Sequence, residues 1–163
     1  MFSGIASRYD FANRVLSMGL CVGWREQLVA ATKAANPKTV ADLATGSGDV
    51  AFALRRDLPA DCAVVGYDFC EPMLEIGRVR AKQEGVALEF KTGDCMKLPI
   101  ADASQDVVTI AYGVRNFEDR AKGLGELRRI LRPDGTLLIL EFSQPSAWLS
   151  LIHISEPTRL RRI

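Results

Sequence analysis

The stretch that decides the fold runs from Thr39 to Asp49 and reads TVADLATGSGD. Its apolar beginning, Thr39–Leu43, predicts a buried β-strand, and the turn after it carries Gly46 and Gly48. Glycine allows a tight turn and a close approach of the backbone to a ligand. A helix is predicted to follow at residues 50–57. This order of strand, glycine turn and helix is typical of the first unit of a ligand-binding α/β sheet.

The rest of the chain repeats the alternation of short apolar runs and helical patterns. This alternation predicts a doubly wound, mostly parallel α/β sheet of about five strands. The further strands are expected at Ala63–Tyr67, Val86–Lys91, Asp106–Ala111 and Thr136–Phe142, and the further helices at 5–18, 24–35, 71–84 and 120–131. A turn is predicted at Arg132–Gly135, and nothing after Phe142 is expected to supply another strand.

Composition excludes several classes of protein. The chain has 163 residues, the length of one domain, and a net charge of +1, which lacks the basic excess that nucleic-acid binding requires. Its four cysteines form no C-x-x-C pair, so a zinc knuckle is not expected, and such scattered cysteines are typical of a reducing cytoplasm. No apolar run reaches the length of about 18 residues that a membrane span needs.

The last segment differs in character from the rest. Residues Leu149–Arg159 resemble the translation of a sequencing-library adapter, so we expect 149–163 to be a non-native tail on a truncated domain. The single histidine, His153, lies in this tail. A histidine-based nucleophile or metal site is therefore not expected in the remainder.

The acidic residues around the glycine turn indicate the ligand. Asp68 ends the predicted second strand, where a carboxylate can accept both hydroxyls of a ribose, although a helix-cap role is an alternative. Asp42 and Asp49 flank the turn and would repel a pyrophosphate, whereas Asp42 would attract an ammonium or a sulfonium. These charges favour S-adenosylmethionine. NAD stays open because Gly46-x-Gly48-x-x-Ala51 satisfies the dinucleotide pattern.

Several segments resemble the ubiquinone/menaquinone biosynthesis C-methyltransferases, which use S-adenosylmethionine and have the Rossmann-like class I fold. The glycine turn and the segment Asp68–Met73 match, and two patterns are more specific: Phe2 with Tyr9-Asp10, and Gly113-x-Arg115-Asn116. The resemblance covers about residues 1–146. It implies an N-terminal helical cover over 1–36 and a cofactor-binding domain over 37–148, with the last two strands of the family's sheet missing.

The resemblance also implies a cofactor site and an acceptor. Asp94, after the third strand, would accept the adenine amino group, or would serve only as a turn residue. Thr45 stands where the family often has glycine and is expected to crowd the turn slightly. The acceptor would be the ring carbon of a polyprenylated quinol, such as demethylmenaquinol or a ubiquinol precursor. The predicted cofactor contacts are Asp42, Gly46, Ser47, Gly48, Asp68, Met73, Asp94, Cys95 and Ala111.

Three residues are candidates for the chemistry. Arg115 would stabilise a phenolate or orient a water, Asn116 would hold a ring oxygen, and Tyr9 would relay a proton. The structural alternatives are a surface arginine, a turn asparagine and a core aromatic ring. A prenyl tail implies transient contact with a membrane surface by a cytoplasmic or peripheral protein, and the oligomeric state is left open. The competing hypotheses are an NAD-dependent oxidoreductase and a non-catalytic adenosine-binding fragment.

Overall fold

The computed structural model describes residues 20–141 and 161–162. Within these residues there are four α-helices: α1 Leu20–Ala34, α2 Asp49–Asp57, α3 Glu71–Glu84 and α4 Arg120–Ile130. A short 3₁₀ turn occupies Val114–Asn116. The strands are β1 Thr39–Leu43, β2 Ala63–Asp68, β3 Glu89–Thr92, β4 Gln105–Ala111, β5 Leu131–Leu140 and β6 Arg161–Arg162. The helix predicted at 5–18 and the residue Tyr9 lie outside the described residues.

The strands form one sheet in the order β3-β2-β1-β4-β5-β6. The first five strands are parallel, and β6 is antiparallel to β5. From β1 the chain moves outward through β2 and β3, then returns to place β4 on the other side of β1. The carboxyl ends of β1 and β4 therefore flank a topological switch point, where open α/β sheets bind their ligands. The predicted doubly wound α/β fold is confirmed.

Both faces of the central strands are buried, as parallel strands require. On one face, α1 and α2 pack Trp24, Leu28 and Leu54 against Val40 and Val107. On the other face, the α4 side chains Leu127 and Ile130 pack with Ala41, Val108 and Ile110. A third cluster joins α2, α3 and β3 through Phe52, Leu74 and Phe90. Because helices cover both faces, the sheet holds the loops at its carboxyl edge in defined positions.

Two strands differ from the sequence-based expectation. Strand β3 begins at Glu89 rather than at Val86, because the left-handed Gly85 ends α3 and the Val86 N–H still donates to the Ala81 carbonyl at 2.9 Å. Strand β5 begins at Leu131, so the predicted turn Arg132–Gly135 lies within its bounds. The pairing of β5 with β4 is interrupted at these four residues, which form an irregularity between the pairs Gln105–Leu131 and Val107–Thr136.

The expectation that nothing after Phe142 supplies a strand is wrong. Residues Arg161 and Arg162 pair with Ile139 and Leu138 on the outer edge of β5. An uncovered edge strand presents unpaired N–H and C=O groups, and a short segment from the tail satisfies some of them. Within the described part of the chain, no helix is both long and apolar enough to cross a bilayer.

Candidate functional site

The glycine turn between β1 and α2 takes a conformation that its glycines make possible. Ala44, Gly46 and Gly48 all have positive φ, at 50°, 57° and 93°. A Cβ atom on Gly48 would lie only 2.5 Å from the ring of Phe90, so no other residue fits there without displacing that ring. The turn is closed by a hydrogen bond of 2.9 Å from the Gly48 N–H to the Thr45 carbonyl.

Asp68 lies at the carboxyl end of β2 and reaches the glycine turn. Its carboxylate accepts a hydrogen bond of 2.8 Å from the Gly46 N–H and one of 2.9 Å from the Cys70 N–H. Cys70 precedes α3, so this bond lies outside the helix and does not satisfy an N–H within its first turn. A carboxylate has about four acceptor sites, which leaves capacity for the two hydroxyls of a ribose.

Asp42 lies beneath the turn and is enclosed by protein, with 1% of its surface exposed. One carboxylate oxygen accepts from the Thr45 hydroxyl at 2.6 Å and the other from the Thr109 hydroxyl at 2.7 Å. Burial raises the pKa of this carboxyl to about 6, the neighbouring Asp68 adds to the rise, and the two hydroxyls oppose it. Asp42 therefore supports the glycine turn through its bond to the Thr45 hydroxyl. Any effect of its charge on a ligand is exerted across the turn.

Asp49 does not act as the free negative charge that the sequence suggested. Its carboxylate pairs with Arg80 at 2.7 Å and with Arg25 at 3.5 Å. These two arginines come from α3 and α1, so the start of α2 is tied to both neighbouring helices. The electrostatic argument against a pyrophosphate therefore rests on Asp42 and no longer on Asp49.

The loop after β3 brings Asp94 and Cys95 to the same edge. The Asp94 side chain accepts from the Met96 N–H at 2.8 Å, which is the turn role that the sequence left as an alternative. Cys95 lies beside Asp68 and the backbone of Ala44; burial, together with the charges of Asp68 and Asp94, raises the pKa of its thiol to about 11. The thiol is therefore neutral at physiological pH.

The remaining predicted cofactor contacts also lie at this edge. The terminal methyl group of Met73 would be 3.6 Å from a Cβ atom built on Gly46, so its side chain reaches the turn. Ser47 is a half-buried residue within the turn. Strand pairing sets Leu43 opposite Ile110, which places the next residue, Ala111, level with the beginning of the turn. All predicted cofactor contacts thus belong to one edge of the sheet.

Sequence reasoning missed Phe69. This residue follows Asp68 directly, and 77% of its surface is exposed, the largest exposure of any large apolar residue in the described part of the chain. An exposed aromatic ring next to the Asp68 carboxylate offers a flat apolar face on which a planar ring could stack. Its position directly after a strand-end acid was the signal in the sequence.

Arg115 and Asn116 lie in the 3₁₀ turn after β4. The Arg115 guanidinium is 2.7 Å from the carboxylate of Glu141, and its backbone N–H donates to the same carboxylate at 3.2 Å. The guanidinium also lies 5.5 Å from the centre of the Tyr112 ring. Asn116 is exposed, and its N–H donates to the Gly113 carbonyl at 3.0 Å. Glu141, at the end of β5, is a second residue that sequence reasoning missed.

The β4 turn touches the glycine turn through Gly113. A Cβ atom on Gly113 would lie 2.7 Å from the Cβ atom of Ala44, so the two turns are in close contact. The glycine turn and the Arg115 turn are therefore neighbours at the switch point of the sheet. In residues 20–141 and 161–162, no three His, Cys, Asp or Glu side chains are grouped as a metal site would need.

A cleft of about 760 Å³ lies elsewhere, beside the amino-terminal end of β2 and the end of α3. Two of the arginines that line it are already hydrogen-bonded to backbone carbonyls. Arg55 donates to the Leu58 carbonyl at 2.9 Å, and Arg78 donates to the Phe90 carbonyl at 3.1 Å. None of the predicted site residues lines this cleft. The carboxyl edge, with its convergent loops, is the better candidate for the functional site.

The fold is that of a Rossmann-like α/β protein of the class I methyltransferase type. The chain belongs to the ubiE/COQ5 methyltransferase family, whose model matches residues 1–153. It is 45% identical over 149 residues to a demethylmenaquinone methyltransferase from Deinococcus radiodurans, covering 91% of this chain and 61% of that protein. It is 44% identical over 147 residues to the ubiquinone/menaquinone biosynthesis C-methyltransferase UbiE from Geotalea uraniireducens, covering 89% of this chain and 63% of that protein.

A solved structure supports the same fold. The YcgJ protein from Bacillus subtilis superposes with a TM-score of 0.66 at 26% identity, covering 76% of this chain and 54% of that one. The chain spans 61% to 66% of the length of the first three curated relatives that it matches. What those whole proteins do is therefore a basis for a proposal about this chain.

Proposed function

We propose that this chain is the cofactor-binding part of an S-adenosylmethionine-dependent C-methyltransferase of quinone biosynthesis. The proposed acceptor is the ring carbon of a polyprenylated quinol, either demethylmenaquinol or a ubiquinol precursor. The observation that carries the proposal is the Asp68 carboxylate, which is held 2.8 Å from the Gly46 N–H at the switch point of the sheet. Family membership and the names of the relatives support the acceptor.

The residues present suit S-adenosylmethionine. Asp68 offers acceptors for the ribose hydroxyls, and the positive φ of Gly46 and Gly48 lets the backbone approach a ligand. The buried charge of Asp42 below the turn favours a positively charged methionyl end over a pyrophosphate. We assign the adenine to the space between Phe69 and the loop of Asp94 and Cys95. Because Arg80 and Arg25 pair with Asp49, this carboxylate no longer argues against a pyrophosphate. NAD is therefore the control ligand.

When bound, S-adenosylmethionine supplies a methyl group carried on a sulfonium. The residues of this chain would hold the acceptor carbon in line with that group, which accounts for much of the rate in such a transfer. A quinol carbon becomes nucleophilic when the neighbouring hydroxyl loses its proton. The Arg115 guanidinium would stabilise the resulting phenolate, and the Asn116 amide would hold a ring oxygen.

The prenyl tail of the acceptor determines where the reaction takes place. Such a tail partitions into the bilayer, so we propose that a cytoplasmic protein meets its substrate through transient contact with the inner membrane face. Tyr9, within the proposed N-terminal cover over residues 1–36, remains a candidate for proton relay.

The test is methyl transfer by the purified chain from labelled S-adenosylmethionine to a reduced demethylmenaquinone with a short prenyl tail. The expected result is a labelled product, heavier by one CH₂, that forms about 100-fold more slowly when Arg115 is replaced by alanine. A folded chain that binds S-adenosylhomocysteine but forms no product would favour the non-catalytic adenosine-binding alternative. A folded chain that binds NADH in place of S-adenosylhomocysteine would favour the oxidoreductase alternative.

A further inference from the structure

Thr45 connects the glycine turn to two strands. Its hydroxyl donates to Asp42 on β1 at 2.6 Å, and its backbone N–H donates to the Tyr67 carbonyl on β2 at 3.0 Å. Its carbonyl accepts the bond from Gly48 that closes the turn. One residue therefore fixes the position of the turn relative to both carboxylate-bearing strands.

The orientation of the Thr45 side chain is set by Gly66. A Cβ atom on Gly66 would lie 2.9 Å from the Thr45 methyl group and 3.0 Å from its hydroxyl. The absence of a side chain on Gly66 makes the space that Thr45 occupies. Because Gly66 on β2 leaves room for the Thr45 side chain, Thr45 does not crowd the turn as the sequence suggested. Its hydroxyl is directed toward Asp42.

The residues on either side of Thr45 need such an anchor. Ala44 and Gly46 both have left-handed backbone angles, at φ 50° and 57°. A left-handed backbone is intrinsically unfavourable for alanine, so the turn keeps this shape only where other contacts hold it. The Gly46 N–H, which reaches Asp68, follows directly after Thr45 in this strained stretch.

We propose that Thr45 is a positioning residue for the cofactor: its hydroxyl bond to Asp42 holds the glycine turn in its ligand-receiving shape. This inference rests on the proposed function, because it concerns the affinity of the same cofactor site. The Asp42 carboxylate is enclosed, so the hydroxyl acts on the turn and not on the ligand. Loss of the bond should weaken cofactor binding by making the turn less ordered before binding.

Thr109 provides a matched control. Its hydroxyl donates to the other oxygen of the same Asp42 carboxylate at 2.7 Å, but it belongs to β4 and not to the turn. Thr45→Val and Thr109→Val each remove one hydroxyl from the same buried carboxylate and keep a β-branched side chain. Both variants should be destabilised to a similar extent, whereas only Thr45→Val should alter the turn.

The experiment is calorimetric titration of the whole chain and its variants with S-adenosylhomocysteine, together with thermal unfolding of each protein. Thr45→Val is expected to weaken binding about tenfold, the equivalent of one hydrogen bond to a charged group. Thr45→Ser, which keeps the hydroxyl, and Thr109→Val should both stay within about twofold of the parent chain. If Thr45→Val does not fold, Thr45→Ala takes its place with the same expected loss.

The possible failures are distinguishable. A folded parent chain that does not bind S-adenosylhomocysteine overturns the proposed function and, with it, any role of Thr45 in that binding. A parent chain that binds, with Thr45→Val unchanged in affinity, overturns the role of Thr45 alone. Equal losses of affinity in Thr45→Val and Thr109→Val would also overturn it, because the effect would then come from the Asp42 carboxylate and not from the turn.

Discussion

At the β1–β2 half of the carboxyl edge the acidic side chains are buried, whereas at the β4–β5 half the charged side chains are partly exposed. Asp42 and Asp68 are 1% and 7% exposed, and hydroxyl or backbone donors satisfy their carboxylates. The side chains of Arg115 and Glu141 are 40% and 21% exposed and pair with each other. We call the β1–β2 half the proposed cofactor half and the β4–β5 half the proposed acceptor half. A partly exposed ion pair contributes little to stability, so the proposed cofactor half is held by the sheet, whereas the proposed acceptor half can adjust to a ligand.

The largest expected effect comes from crowding the cofactor half. Gly48→Ala should lower the free energy of unfolding by about 3–5 kcal/mol, because it combines a left-handed backbone with a clash against Phe90. Urea unfolding measures this change. Gly125→Ala, in an open position on α4, is the control and should stabilise the chain by about 0.5–1 kcal/mol. A Gly48→Ala variant as stable as the parent would mean that the turn is not rigidly packed.

The next effect is the pH dependence that Asp42 confers. Because burial raises its pKa from 3.8 to about 6, the folded chain binds a proton more readily than the unfolded chain between those values. The contribution of Asp42 to stability therefore falls as the pH rises through this window, by about 3 kcal/mol in all. The stability of the parent relative to Asp42→Asn should increase by about 2–2.5 kcal/mol as the pH is lowered from 7 to 4, and the rest of the change follows below pH 4. Parallel stability curves for the two proteins would contradict the burial of this charge.

The acceptor half should respond in activity and not in cofactor affinity. Arg115→Ala is expected to lower the rate of methyl transfer about 100-fold, a typical cost of losing one charged donor at a developing negative charge. Its affinity for S-adenosylhomocysteine should stay unchanged, because the guanidinium is paired with Glu141 on the β5 side. A large loss of cofactor affinity in this variant would show that the two halves are not separate.

The smallest effect is expected for Glu141→Gln. This change removes the charge that orients Arg115 but keeps a side chain able to accept from the Arg115 N–H. We expect an approximately tenfold loss of methyl-transfer rate, smaller than for Arg115→Ala because the guanidinium remains. Rates measured with both single variants and the double variant give the coupling between the two residues. Additive effects would indicate that Glu141 acts independently of Arg115.

The sequence predicted the elements whose signals are local. The bounds of β1 and α3 match the expectation. An apolar run before a glycine turn defines β1, and Pro72 and Gly85 mark the two ends of α3. The start of β3 was not predicted, because Val86 still bonds back to the end of α3. The irregular start of β5 was not predictable, because its pairing with β4 determines it. The strand formed by Arg161 and Arg162 likewise depends on the open edge of β5.

The placement of the predicted site residues at the carboxyl edge followed from the sequence, but their contacts did not. The glycine turn and Asp68 have characteristic spacing, so their position at the switch point followed from the chain itself. The pairing of Asp49 with Arg80 joins residues 31 apart on different helices, and no local pattern indicates it. The pairing of Arg115 with Glu141 requires the ends of β4 and β5 to be adjacent. The division at residues 36 and 148 stays a prediction.

The central claim is that the Asp68 edge binds an adenosine ligand of the S-adenosylmethionine type. The most direct measurement is a calorimetric titration of the parent chain, Asp68→Asn and the exposed control Asp61→Asn with S-adenosylhomocysteine, with NADH as a second ligand. The account predicts saturable binding by the parent and by Asp61→Asn, a loss of about 30-fold or more in Asp68→Asn, and no binding of NADH. Equal affinity of the parent and Asp68→Asn, or binding of NADH alone, would contradict it.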